Sequence, residues 1–252
     1  MSPEMSSLAV RDDWDRHWGD YASSAERNPA QRYRRKLILS SLGLEQADSR
    51  RVLDIGSGQG DFAADLLAAC PSAKVLGLEL SASGVLIASQ KVPAARFLQC
   101  DLLQPHEPPP SRQAWATHAV CSEVLEHLDD PQRLLVNAQA WMAPGCKLIV
   151  TVPGGRMSAF DKHIGHRQHY RPEDLRCLLE RSGFRVDLAS GSGYPFFDLY
   201  RCVVIARGSR LIGDVSRKPS LAARSAMGVF DALFHLNVRS RGWQTYAIAT
   251  YP

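Results

Sequence analysis

Residues 51–62 read R-V-L-D-I-G-S-G-Q-G-D-F, an apolar, β-branched run broken by glycines at 56, 58 and 60 and continued by F-A-A-D-L-L-A-A. An apolar run bounded by a glycine cluster reads as a buried strand, and the spacing after Asp61 reads as a helix. Gly56, Gly58 and Gly60 remove side chains where the backbone must turn tightly and where a ligand can approach it. The helix start near Asp61 leaves unpaired N–H groups beside that turn. A nucleotide-like cofactor is expected here. The G-x-G-x-G spacing is shorter than the dinucleotide fingerprint G-x-G-x-x-G, and Asp54 stands at the strand end, two residues before the first glycine. A carboxylate there repels a pyrophosphate and suits a ligand with an amino group or a positive charge.

Further acids follow at regular intervals. Lys74 to Leu80 reads K-V-L-G-L-E-L, a second strand that places Glu79 about 20 residues beyond the turn, where a parallel neighbour presents a carboxylate to a ribose. Ala95 to Leu103 reads as a third strand with Asp101 at its end, Ala116 to Cys121 as a fourth, and Lys147 to Val152 as a fifth, introduced by a turn at Pro144-Gly145. Strands alternate with helical segments, which is the doubly wound α/β pattern, and its ligands bind at the carboxyl ends of the strands. Asp54, Glu79 and Asp101 all fall on that edge.

Composition is consistent with one folded unit. The chain has 252 residues, 45% hydrophobic and 22% charged, with a net charge of +4, so it is neither disordered nor strongly polyionic. Six cysteines without a C-x-x-C pair read as reduced thiols in a cytoplasmic protein. Neither a secretory signal nor an apolar run long enough to span a bilayer is visible. A dense basic stripe is also missing, which disfavours a nucleic-acid partner.

At the glycine turn the chain resembles the class I S-adenosylmethionine-dependent methyltransferases, whose first motif is a hydrophobic strand ending in D-x-G-x-G-x-G, here Asp54 to Gly60. The resemblance runs over roughly residues 30–190 and is nearest to the methyltransferase type 11 group with its ubiquinone-biosynthesis O-methyltransferases. It implies a Rossmann-like sheet, mostly parallel with an antiparallel edge strand, in a single domain. An N-terminal helical cap (1–45) precedes the cofactor-binding core (50–192). A helical insertion (193–240) for substrate or dimer contacts and a final strand (242–252) follow it. It implies S-adenosylmethionine bound by Asp54, Gly56, Ser57, Gly58, Gly60 and Glu79, with Leu80 packing on adenine and Asp101 and Leu102 meeting its edge. Glu123 would line the cofactor pocket, and Tyr21 and Arg34 of the cap would close over it. The expected reaction is methyl transfer to a hydroxyl oxygen of a small-molecule acceptor, in biosynthetic or secondary metabolism. Alternatives are N- or C-methylation, metal-assisted 2′-O-methylation of RNA, and a non-catalytic cofactor-binding scaffold.

Two stretches carry candidate chemistry. In E-V-L-E-H, Glu123, Glu126 and His127 have helical i, i+3, i+4 spacing, and the pattern resembles the metal-binding motif of the ubiquinone O-methyltransferases. A divalent metal held by Glu123, Glu126, His127 and His163 is therefore one expectation. In D-K-H-I-G-H-R-Q-H-Y-R, from Asp161 to Arg171, three roles stay open: general base, fourth metal ligand, or ordering of the loop around Tyr170. His166 and His169 are the candidates for base or substrate positioning, with His163 and Tyr170 beside them, and Arg156 or Arg167 for an anionic group. Tyr194, Phe196, Phe197 and Tyr200 suggest an apolar acceptor site. The arginines after residue 200 suggest peripheral contact with an anionic membrane, and the chain reads as a monomer or homodimer.

Overall fold

In the computed structural model, described for residues 28–44, 50–105, 107–207 and 221–252, a seven-stranded sheet has the order β3-β2-β1-β4-β5-β7-β6. The strands are β1 (Arg51–Ile55), β2 (Lys74–Glu79), β3 (Arg96–Gln99), β4 (Ala116–Ser122), β5 (Met142–Pro153), β6 (Arg185–Ser192) and β7 (Gln244–Thr250). The first five pair in parallel, and β7 runs antiparallel to both β5 and β6. The antiparallel strand thus sits one place in from the edge, which β6 occupies. The helices are α1 (Pro29–Leu42), α2 (Asp61–Ala69), α3 (Ala82–Lys91), α4 (Pro131–Ala138), α5 (Ala159–His163), α6 (Pro172–Arg181), α7 (Phe196–Arg207) and α8 (Leu221–Leu233). Trp14, Trp18 and Tyr21 lie outside the described residues.

Strand alternation builds two cores. Val52, Val75, Val120 and Ile149 face α1, α2 and α3 through Ile38, Leu42, Phe62, Leu66 and Ala88. Their neighbours Leu53, Ile55, Leu76, Leu148 and Val150 face the other way, onto Leu135, Trp141, Leu175 and Leu179. Because consecutive strand residues point to opposite faces, near-continuous apolar strands are required for a sheet covered on both sides. Each fully buried Leu, Ile or Phe contributes about 1.5–3 kcal/mol relative to exposure. A third, smaller cluster joins α1 to the segment between β6 and β7: Ala30, Phe197 and Phe234 are buried there, with Tyr33, Tyr200 and Phe230 around them.

Two boundaries differ from the sequence reading. The Pro144-Gly145 turn lies inside β5, where Gly145 takes φ 79° and donates its N–H to Tyr251 O at 2.8 Å. The register with β4 shifts between Ala116 and His118, so the irregularity is absorbed as a bulge rather than as a strand start. Strand β3 stops at Gln99, and Asp101 closes the following turn by accepting the Leu103 N–H at 3.0 Å. No helix among the described residues is long and apolar enough to cross a membrane.

Candidate active site

The three glycines of the opening motif take φ values of 70°, 53° and 80°. At Gly56 a Cβ would lie 2.4 Å from Val124 Cγ2, so both backbone conformation and space demand glycine. Its N–H and that of Ser57 donate to Leu78 O at 2.8 and 3.1 Å, fastening the turn to β2. Glu79 reinforces this: its carboxylate accepts Gly58 N–H at 2.8 Å and Ser81 N–H at 3.0 Å. Asp54 is buried, and its Oδ2 has no hydrogen-bond partner in the protein. Burial first, and then the charge of Glu79, push its pKa up to about 7. The turn therefore carries a carboxyl group whose charge a cationic ligand would draw out.

A cavity of about 440 Å³ opens along the carboxyl ends of β1, β2 and β4. Asp54, Gly56, Ser57, Gly58, Glu79, Leu80, Asp101, Leu102 and Glu123 line one part of it. Gly60 does not line it. It caps α2 at φ 80°, and a Cβ there would press on Ala88 and Phe97 at 3.1 and 3.3 Å, so its smallness serves helix packing. The opposite part is walled by Arg34 of α1, Phe160 and Ile164, Phe197, Tyr200, Arg201 and Val204 of α7, and Trp243 and Gln244. Of the four aromatic residues proposed for an apolar wall, Phe197 and Tyr200 line the cavity, whereas Tyr194 and Phe196 do not.

The E-V-L-E-H stretch is not one helical face. Glu123 takes φ 56° while its N–H still pairs with Thr151 O of β5 at 2.9 Å, and only Leu125–His127 forms a short 3₁₀ turn. The reversal turns the Glu123 carboxylate toward β7 and α1. Glu123 Oε1 accepts from Gln244 Nε2 at 3.0 Å, and Oε2 pairs with Arg34 Nη1 at 3.3 Å. Glu126 is fully buried, and neither carboxylate oxygen has a hydrogen bond. Burial and the nearby Glu123 hold its pKa well above the usual range. An unpartnered buried carboxylate costs several kcal/mol, so the neutral acid wins.

Two imidazoles flank Glu126 and a third stands behind them, and they are not the three of the histidine-rich stretch. His163 is exposed at the end of α5 and does not line the cavity, and His166 stands beside Glu126 and His127 instead. The rings of His127 and His166 meet edge to face at 4.7 Å, and each presents Nε2 4.0 Å from Glu126 Oε1. His166 Nδ1 lies 3.1 Å from His169 Nε2, behind the cavity wall. Burial, then His127, lowers the His166 pKa to about 3, and burial also lowers that of His169. Both shifts favour the neutral ring. Asp161, buried under the pair, is held ionised by Arg201 at 2.8 Å and by the Ser158 N–H and hydroxyl, both at 2.7 Å. Tyr170 is a structural residue: its hydroxyl donates to Leu125 O at 3.2 Å, and burial raises its pKa. Arg156 is exposed and Arg167 pairs with Asp129, so the cavity's arginines are Arg34, Arg35 and Arg201 instead.

The metal quartet expected from the sequence does not assemble in full: Glu126 and His127 come together, but the Glu123 oxygens pair with Gln244 and Arg34, and His163 is exposed. A different trio does. Glu126, His127 and His166 each offer one ligand atom, all within 4.8 Å of one another, and the two unbonded oxygens of Glu126 suit a cation. Asp161, His166 and His169 form a second, overlapping trio.

The family model described as a methyltransferase domain matches residues 21–189. Trans-aconitate 2-methyltransferase of Rhodopseudomonas palustris (strain BisA53) is 35% identical over 106 residues, 42% of this chain and 40% of the relative. The match thus spans about two fifths of that relative's length. Ubiquinone biosynthesis O-methyltransferase of Coxiella burnetii is 28% identical over 178 residues, covering 62% of this chain and 74% of the relative. Phosphoethanolamine N-methyltransferase 2 of Haemonchus contortus, solved with S-adenosyl-L-methionine, shares the fold at TM-score 0.64 and 18% identity, over 98% of this chain and 60% of that one. A sheet ordered 3-2-1-4-5-7-6 with β7 antiparallel, a D-x-G-x-G-x-G turn at its switch point and the family match over most of the core lead to one conclusion: the chain belongs to the S-adenosylmethionine-dependent methyltransferase domain family.

Proposed function

We propose that the chain transfers the methyl group of S-adenosylmethionine to a hydroxyl oxygen of a small molecule. The observation that carries this reading is one continuous cavity with the glycine turn and its acids at one end and His166 at the other. The cofactor's amino acid part sits by Asp54 and the glycine turn, its ribose by Glu79, and its adenine between Leu80, Asp101 and Leu102. Ser57 and Glu123 complete that wall.

Methyl transfer from a sulfonium is an in-line displacement: the new O–C bond forms as the C–S bond breaks, and sulfur keeps the electron pair. Positioning supplies much of the rate, and a hydroxyl acceptor also has to lose its proton. As the O–C bond forms the oxygen becomes oxonium-like and strongly acidic, and the neutral imidazole of His166 takes its proton then, while Phe160, Ile164, Phe197 and Trp243 exclude water from the acceptor. The names of the relatives support a small-molecule acceptor, and that of the ubiquinone biosynthesis O-methyltransferase supports oxygen as the accepting atom. The test is a panel of phenols, catechols and hydroxy acids, scored by S-adenosylhomocysteine release. Turnover of at least one that His166→Ala lowers about a hundredfold, with cofactor affinity unchanged, supports the reading. Methylation confined to amines or carbon acids refutes it.

A second reading is favoured by the unbonded Glu126 carboxylate. A divalent ion held by Glu126, His127 and His166 would lower the pKa of the acceptor hydroxyl. Activity that survives exhaustive chelation removes it.

A further inference from the structure

Two imidazoles at the acceptor end are joined head to tail, and the end of the chain is a carbonyl. His169 Nδ1 lies 3.2 Å from Gly155 O, and His166 Nδ1 lies 3.1 Å from His169 Nε2. A carbonyl oxygen only accepts, so His169 carries its proton on Nδ1. The other nitrogen of the neutral ring is then bare, and it accepts from His166 Nδ1. Applied once more, the same rule leaves His166 Nε2 without a proton, facing Glu126 Oε1 at 4.0 Å in the cavity wall.

We infer that His169 is a positioning residue: anchored on the Gly155 carbonyl, it locks His166 in the Nδ1–H tautomer and so presents the Nε2 lone pair to whatever occupies the acceptor end of the cavity. The inference deepens the proposed reaction, which needs a bare nitrogen at that place. It serves the metal reading equally, because a ligating imidazole has the same requirement.

The anchor is itself fixed by local structure. Gly155 takes φ 70°, and a Cβ there would stand 2.7 Å from the Trp243 ring, so only glycine places its carbonyl in this direction. The charges around the pair keep it neutral. Asp161 lies 4.0 Å from His166 Nδ1 and 3.9 Å from His169 Nε2, and alone it would favour an imidazolium. Arg201, bonded to the same carboxylate, opposes it, and so do burial and, for His166, the ring of His127. Glu123 favours protonation of His169 more weakly, and Glu126 holds its own proton. Were His169 to charge, both its nitrogens would donate, and His166 would have to turn its bare nitrogen inward.

The experiment is a long-range ¹⁵N–¹H correlation spectrum of histidine-labelled, full-length protein, with His166 assigned by the peaks lost in His166→Ala. It reads the tautomer without turnover, so its outcome is separate from that of the acceptor panel. The expected spectrum shows His166 and His169 both protonated at Nδ1. His169→Gln, whose amide oxygen replaces Nε2 as acceptor, keeps the His166 pattern, whereas His169→Leu loses it in favour of the Nε2–H form. A wild-type spectrum with His166 protonated at Nε2 overturns the inference. So does a folded His169→Leu variant with an unchanged His166 tautomer. Should that variant fail to fold, the wild-type and His169→Gln spectra decide the matter.

Discussion

Arg34 Nη1 lies 3.3 Å from Glu123 Oε2, and this contact ties the first described helix across the cavity to the carboxyl end of β4. Both side chains are largely buried, at 12% and 18% exposure, so the pair is less screened than a surface salt bridge. Arg34→Ala leaves the Glu123 carboxylate the bond it accepts from Gln244 and removes its counter-charge. The expected loss is about 1–3 kcal/mol of stability, read as a lowered denaturant midpoint. An unchanged midpoint would show the contact to be incidental.

Cofactor binding should depend on pH through Asp54. Its pKa of about 7 in the free protein is raised above the unfolded value, so the free fold keeps this proton below neutrality and loses that contribution to stability as pH rises through 7. A positively charged ligand prefers the ionised form, so affinity rises between pH 6 and 8, and binding near pH 7 releases about half a proton. Calorimetry in two buffers of different ionisation enthalpy reads that release. Asp54→Asn should weaken binding and abolish both effects.

Acid should act in the opposite sense at His166. Its folded pKa, about 3, lies below the usual histidine value. The unfolded chain therefore binds the proton first, and stability falls as pH drops from about 6.5 toward 3, by up to about 1.4 kcal/mol per pH unit. Unfolding curves of His166→Asn between pH 7 and 4 should be correspondingly flatter than those of the wild type.

Gly56→Ala combines a positive φ with a Cβ 2.4 Å from Val124 Cγ2. The expected cost is about 2 kcal/mol or more. Adding Val124→Ala removes the clash but not the backbone strain, so the double variant should recover only part of the loss. Full recovery would mean that the turn tolerates a side chain.

The fold and the cofactor end were legible because they rest on local chemistry: apolar strands, glycines at positive φ, and acids at strand ends. Asp54 and Glu79, singled out by their places at strand ends, and Leu102, implied by the family resemblance, line the cavity. The acceptor end was less legible. Helical spacing in E-V-L-E-H failed because Glu123 reverses at φ 56°, a conformation no pattern of residue types announces. His166 rather than His163 joins Glu126 and His127 for a related reason: α5 stops at His163, and only residues beyond Gly165 fold back onto Glu126, where Arg167 N–H meets Glu126 O at 2.8 Å. Phe160, Trp243 and Gln244 reach the cavity through tertiary packing alone. Trp243 did offer a faint signal, a large residue beside glycine just before the last strand.

The central claim is that Glu79 and the glycine turn bind the nucleoside of S-adenosylmethionine. Calorimetric titration of S-adenosylhomocysteine into the protein and into Glu79→Gln tests it most directly. Micromolar binding to the wild type, weakened about tenfold or more in the variant through loss of charge-assisted bonds to the ribose, is the predicted result. Absence of binding, or equal affinity in a folded variant, would contradict the account.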